Sequence, residues 1–326
     1  MQRRSFTRSL GAALASAPLP ALGQSRDKAT IGLLFLSSES GSAWAFEALR
    51  EGLRKYGLVD GNTIRLVARY ADNKPERLEA LAGELAAQGC QIIVAAGTTS
   101  VGAAQRAASK AAIVMAGSAD PVMMGFAQSL GRPGGRITGV SILGEELLSK
   151  QFELLKETLP RARAFAAFLQ AANPGNPAFR KAFGTISQAL DVRIDVMDLR
   201  NAEEFPAAFD WATGQSVDGA FVIPDPIFAA HAESIFRLAL ERRLPTVCGS
   251  DAWARAGALL AYSMGFNAAW RQSARYVSEI LRGADPATLP IEQPTSFTIS
   301  VNLKTARALG LTIPPLILAN AHEVIE

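Results

Sequence analysis

Residues 91–121 read QIIVAAGTTSVGAAQRAASKAAIVMAGSADP. A short apolar run, 91–96, meets Gly97-Thr98-Thr99-Ser100. An Ala-rich stretch with helical composition follows over 99–109. A second apolar run, 112–116, ends at Gly117-Ser118-Ala119-Asp120-Pro121. Short strands that are apolar on both sides and alternate with helices belong to a parallel sheet covered on both faces. The pattern extends upstream. Residues 31–36 are apolar, and 43–56 place Phe46, Leu49 and Leu53 on one helical face. Residues 63–70 alternate like a strand, and 75–88 open with a proline tolerated in a first helical turn. Residues 137–143 close this series.

A second series follows. Helix is predicted over 145–159, 178–190, 202–212, 227–242 and 267–282, and strand over 164–169, 192–199, 219–223, 245–249 and 258–264. Two such series of similar length predict an α/β fold of two doubly wound lobes, Rossmann-like in the flavodoxin sense. Pro286, Pro290 and Pro294 then interrupt regular structure. A last strand, 297–301, and a short helix, 304–309, follow them. A tail that returns after the second series implies a hinge of more than one strand. The expected lobes are 29–141 plus 265–293, and 142–264 plus 294–326.

The N-terminus reads MQRRSFTRSLGAALASAPLPALG over residues 1–23. Arginines come first, then a short apolar stretch, then small residues, which is the order of a secretory signal peptide. Arg3-Arg4-Ser5-Phe6 also fits a twin-arginine signal. The full chain has 33 Lys+Arg and 30 Asp+Glu, and the leader holds three arginines and no acid. Its removal leaves the charges balanced, which gives no basic excess for a nucleic-acid partner. About 300 residues remain, a length that suggests about two domains. Cys90 and Cys248 are expected to be buried free thiols. Two histidines and two cysteines, all scattered, offer no metal cluster, and no cofactor motif is present.

Ligands in open α/β sheets bind beyond the carboxyl ends of the strands. The first lobe offers Ser42 and Trp44 after its first strand, Thr98 and Thr99 after its third, and Ser118 and Asp120 after its fourth. The second lobe offers Asn173, Asp225 and Asp251. Backbone N–H groups and hydroxyls at a helix start suit an anion, so Thr98 and Thr99 are candidates for a carboxylate. The same residues could simply cap the helix. Asp225, between two prolines, could meet a cationic group or cap the helix after it. Trp44 could stack on a ligand or pack in the core.

Enzyme motifs are incomplete. Residues 97–104 lack the Lys-Ser/Thr of a phosphate-binding loop, and no G-x-G-x-x-G opens a helix. Residues 98–102 resemble G-x-S-x-G, which would make Ser100 a nucleophile with Asp225 and His322 following in the required order. Thr98 in place of the first glycine strains that tight turn.

The chain resembles the bacterial ABC transporter substrate-binding family, whose relatives include tryptophan and tyrosine binders. The resemblance runs from about residue 29 to residue 326. It is carried by Ile93-Val94-Ala95-Ala96-Gly97-Thr98, Ala119-Asp120-Pro121-Val122, Arg132-Pro133-Gly134-Gly135, Ala172-Asn173-Pro174-Gly175 and Pro224-Asp225-Pro226. It continues in Leu289-Pro290-Ile291-Glu292-Gln293-Pro294, Asn302-Leu303-Lys304-Thr305-Ala306 and Leu309-Gly310-Leu311-Thr312-Ile313-Pro314-Pro315. It implies a type I periplasmic binding fold with a small amino acid or carboxylate between the lobes. Thr98, Thr99, Ser118, Asp120, Asn173 and Asp225 fall at matching positions. The chain departs from the family near Gly249 and at Tyr262-Ser263, on the second-lobe side of the pocket. The resemblance implies a non-catalytic, monomeric, periplasmic protein that serves an ABC permease. The alternatives are a sensor that presents its ligand to a receptor, and a serine hydrolase.

Protein recovered from the periplasm should begin near residue 24 on N-terminal sequencing. An intact Met1 on cytosolic protein would refute export.

Overall fold

The computed structural model describes residues 28–141, 144–293 and 297–326. The leader at 1–23 lies outside the described residues. The first sheet contains β1 (Ala29–Phe35), β2 (Ile64–Tyr70), β3 (Ile92–Ala95), β4 (Ala112–Ala116) and β5 (Ile137–Val140). Their order is β2-β1-β3-β4-β5, all parallel. Between them run α1 (Glu39–Arg54), α2 (Leu78–Ala87) and α3 (Thr98–Ala107), with a 3-10 turn at Pro75–Arg77 before α2.

The chain then crosses to α4 (Gly144–Thr158), β6 (Ala164–Gln170), α5 (Asn176–Leu190), β7 (Arg193–Leu199), α6 (Phe205–Gly214) and β8 (Gly219–Val222). Next come α7 (Pro226–Ala229), α8 (Ala232–Glu241), β9 (Thr246–Cys248), α9 (Asp251–Arg255) and β10 (Leu260–Met264). α10 (Phe266–Leu281) returns to the first sheet, where Trp270, Ala274, Tyr276 and Val277 pack with Ile31, Leu33, Ala45 and Leu49. β11 (Phe297–Asn302), α11 (Leu303–Leu309), α12 (Pro315–Ala319) and β12 (Glu323–Ile325) finish the second sheet. Its order is β12-β11-β10-β9-β8-β6-β7, with only β10 and β11 antiparallel. The two doubly wound lobes are those the alternation predicts.

β6 shows how the sequence builds the second core. Its segment AFAAFLQ is buried at every position, and successive side chains face opposite sides of the sheet. Phe165 joins Phe152, Phe183 and Phe221 on one face, with ring centroids 5.6–5.9 Å apart. Phe168 joins Phe205, Phe209 and Phe228 on the other, at 5.0–5.8 Å. Most of these pairs are tilted or edge-on, the arrangement the ring quadrupoles favour. Cys90, just before β3, and Cys248, in β9, are both buried and free.

One expected helix is two. Residues 227–242 break at Ala230 and His231, where His231 leaves the helical region at φ −118 and starts α8. Its carbonyl accepts from the Ser234 hydroxyl at 2.8 Å and from the Ile235 N–H at 3.0 Å, so the second helix is nucleated afresh. β12, α9 and α12 were not anticipated; each is at most five residues long, too short for periodicity to register.

α1 and α10 cross at Gly52, where a Cβ would stand 2.5 Å from the Arg271 carbonyl oxygen and 2.8 Å from Ala274 Cβ. Gly83, inside α2, has nothing within 4 Å of its own Cβ position. Gly52→Ala should therefore destabilise the protein in urea unfolding by about 1–3 kcal/mol, through overpacking. Gly83→Ala should stabilise it by up to about 1 kcal/mol through helix propensity. Equal shifts from the two substitutions would contradict this account of the crossing.

Candidate ligand-binding site

On the first lobe, the loops after β3 and β4 are knitted together. Gly97 adopts φ +77, which only glycine takes without strain, and its N–H donates to the Gly117 carbonyl at 2.6 Å. Thr98 Oγ1 accepts from the Ala119 N–H at 3.3 Å. Thr98 is buried and Thr99 half-buried, and both lie inside α3 as its first residues. Gly97 is the N-cap, and no side chain caps the first turn. The hydroxyl of Thr98 is thus committed to the neighbouring loop rather than to capping. The first-turn N–H groups of α3 carry the partial positive charge of a helix start. Beside them, the Ser118 hydroxyl is fully buried and has no hydrogen-bond partner among the described residues.

Asp120 is exposed, and its carboxylate accepts from the N–H groups of Val122 at 2.9 Å and Met123 at 3.1 Å. It holds its own turn. Ser42 is buried in the first turn of α1, with its Oγ 2.5 Å from that of Ser37. Trp44 stands 47% exposed. It therefore contributes little to the core.

The second lobe answers with acceptors. Asn173 Oδ1 accepts from the Gly175 N–H at 2.9 Å. Its Nδ2 approaches Asp225 Oδ2 at 3.5 Å, a long contact. Asp225 is only 4% exposed and caps α7, with Oδ1 accepting from the Ile227 N–H at 3.0 Å. Burial pushes its carboxyl up from 3.8 to about 6, against the two hydrogen bonds, which favour the ionised form. Asp225 is thus a helix cap and also a carboxylate with spare accepting capacity. Asp251 sits differently. It accepts from Ser263 Oγ at 2.6 Å, Thr298 Oγ1 at 3.0 Å and Ser300 Oγ at 3.1 Å, tying β10 to β11.

The two sets of loops meet. A Cβ at Gly175 would lie 3.6 Å from Ala119 Cβ, on the opposite lobe. A continuous run follows, from Thr98 through Ala119 and Gly175 to Asn173 and Asp225. Among the described residues no hydrogen bond joins Ser42, Trp44, Asp120 or Asp251 to this run.

The residues of the hydrolase alternative lie apart. The Ser100 hydroxyl is buried with no partner among the described residues. His322 Nδ1 accepts from the Ile299 N–H at 3.2 Å, on β11. Among the described residues no group of three His, Cys, Asp or Glu could hold a metal ion.

Sequence reasoning missed an aromatic stack at the ends of β1 and β2. The Phe35 ring lies 5.3 Å from that of Tyr70 and 5.2 Å from that of Trp270, nearly parallel to both. A strand-final aromatic in each of two adjacent strands was the available signal. Asn176 was also missed, although it ends the Asn173-Pro174-Gly175-Asn176 turn.

Comparison with known proteins agrees with this architecture. A "Tyrosine-binding protein" from Clostridioides difficile (strain R20291) is 22% identical over 289 residues, covering 88% of this chain and 82% of the relative. An ABC domain from Streptococcus pneumonia solved in complex with L-Trp superposes with a TM-score of 0.84 at 21% identity, over 92% of this chain and 100% of that one. A conserved domain protein from Vibrio cholerae gives 0.85 at 20% identity, over 91% and 100%. The model of the family described as "ABC transporter substrate binding protein" matches residues 31–325, and this chain belongs to that family.

Proposed function

We propose that this protein is the periplasmic solute-binding subunit of an ABC importer. Its ligand is a small amino acid or carboxylate, aromatic or branched apolar, held by its two ends. The observation that carries this reading is the run across the lobes. An uncapped helix start lies at one end and a buried, unneutralised carboxylate at the other. The ligand carboxylate meets the first turn of α3 at Thr98 and Thr99, with Ser118 beside it. Its ammonium meets Asp225, which Asn173 steadies. Trp44 offers an exposed ring at the rim. Ser42, Asp120 and Asp251 shape the loops around the pocket. The names of the relatives, a tyrosine binder and an L-Trp complex, support an amino acid of this class.

The lobes comprise 29–141 plus 265–293, and 142–264 plus 294–326. The protein is exported by its leader, acts as a monomer, and hands its ligand to an inner-membrane permease without chemical change. A ligand drives closure only by binding the closed state better than the open one. Contacts to both lobes give it that preference.

Thermal-shift screening of amino acids and aromatic acids tests the reading, because a ligand that binds only the native state raises the melting temperature. Hits confined to sugars and uncharged solutes would defeat it. Charge-assisted hydrogen bonds contribute roughly 1.5–3 kcal/mol, or about tenfold or more in affinity. Asp225→Ala should therefore weaken an amino acid by at least about tenfold while sparing its deaminated analogue. Thr98→Ala should weaken both by less, since backbone donors remain.

The carboxyl of Asp225 also sets a pH dependence. It must ionise to pair with an ammonium, so amino-acid affinity should fall as pH drops below about 6, by up to about tenfold per unit. Affinity for the deaminated acid should lack this slope. In the free protein the sign reverses. The native carboxyl holds its proton up to about 6 and the unfolded one only to about 3.8. Stability from this group should therefore rise as pH falls through that window. Asp225→Asn should flatten both profiles in calorimetry.

A further inference from the structure

Asn176 carries an amide whose orientation is fixed by its own bonding. Its Nδ2 donates to the Gln170 carbonyl at 2.9 Å. A carbonyl can only accept, so the amide nitrogen must face Gln170 and Oδ1 must point the other way. The residue is 9% exposed, and Oδ1 is buried with no hydrogen-bond partner among the described residues. A buried acceptor in that state is unfavourable, and a donor brought to it would relieve the strain.

Its surroundings say what kind of group would do so. Asn176 follows Gly175, the residue that meets Ala119 of the opposite lobe. The backbone donors of this turn are already used, and one amide N–H of Asn173 is engaged as well. The N–H of Gly175 goes to Asn173 Oδ1, that of Asn176 to the Asn173 carbonyl at 3.1 Å, and Nδ2 of Asn173 to Asp225. Two acceptors keep unused capacity, Asn176 Oδ1 and the Asp225 carboxylate. When ionised, Asp225 can only accept.

We propose that Asn176 Oδ1 is a specificity-determining contact that accepts a hydrogen bond from a protonated amine of the ligand, alongside Asp225. This rests on the two-ended amino-acid reading above and deepens it. The second-lobe wall offers these two acceptors. It selects a primary ammonium, which has three N–H donors to share. It disfavours a carboxylate at that end, which would face both acceptors. The wall thereby fixes the ligand's orientation between the lobes as well as its class.

The test uses the full mature chain and isothermal titration with three matched pairs. These are L-tryptophan and indole-3-propionate, L-tyrosine and 3-(4-hydroxyphenyl)propionate, and L-leucine and 4-methylpentanoate. For the pair that binds, the wild type should prefer the amine-bearing member by at least about tenfold, the effect of one charge-assisted hydrogen bond. Asn176→Leu keeps the side-chain shape and removes the acceptor together with the donor to Gln170, a loss that affects both members of a pair alike, and Asn176→Ala serves where the leucine variant does not fold. Either should reduce amine binding by about tenfold and change the deaminated acid by less than about twofold. Equal loss of both members would mean that Asn176 only shapes its loop, and no loss would mean that it is not a contact. A wild type that binds both members equally would overturn the inference without any variant. Binding of none of the six compounds would instead overturn the amino-acid reading on which it rests.

Discussion

The backbone of Glu292 lies alongside Val140, and the geometry of the cleft depends on that pairing. Its N–H donates to the Gly139 carbonyl at 3.0 Å and its carbonyl accepts from the Ser141 N–H at 2.9 Å. Its carboxylate takes Arg275 at 2.5 Å, and also Gln272, both from α10. Tyr276 adds its hydroxyl, donating to the Pro290 carbonyl at 2.9 Å and accepting from the Glu292 N–H at 3.2 Å. Ser141 precedes the first passage of the chain between sheets, α10 follows the second, and Glu292 precedes the third. One residue thus ties together the first-lobe ends of all three passages. The ion pair is partly exposed and is worth little by itself. The backbone bonds and the buried phenol hold the arrangement.

On the other side, Asp251 does a related task. Ser263 lies one residue before the end of β10, which leads into the second passage, Thr298 is the second residue of β11, which follows the third, and both donate to its carboxylate. The sequence placed Asp251 among ligand candidates because it follows a strand and precedes a helix. Its position is right by that rule, but which groups would reach it was not visible. Ser263, Thr298 and Ser300 lie on β10 and β11, and their convergence depends on an antiparallel register that only the folded tail supplies.

The same distinction separates what was legible from what was not. Residues 91–121 announce a parallel strand-helix-strand unit because fully apolar short strands that alternate with helices belong to a sheet covered on both faces. Asp225 and Thr98 could be nominated from their places after strands. That Thr98 bonds Ala119, leaving α3 without a side-chain cap, depends on how two loops pack and could not be read. Asn176 was hidden for the same reason. An asparagine in a turn is ordinary, and only its bond to Gln170 shows which end of the amide is left over. The Phe35–Tyr70–Trp270 stack joins residues some 235 positions apart at the extremes, beyond any local period.

These features share a physical logic. The groups acting on Asp225 are burial, one backbone N–H and one long amide contact, and together they leave its carboxyl easier to protonate than an ordinary aspartate. Ser118 and Asn176 likewise keep buried polar atoms without partners. Each makes the empty protein less stable than a fully bonded one would be. A protein selected for stability alone would fill these positions with apolar side chains. Under the proposed reading the deficit is useful, because a ligand that satisfies the groups adds stability to a closed state that it cannot add to an open one. On that reading, the affinity for ligand and the reluctance of the empty protein to stay closed arise from the same unpaired atoms. Such a coupling would let closure report that the cleft is occupied.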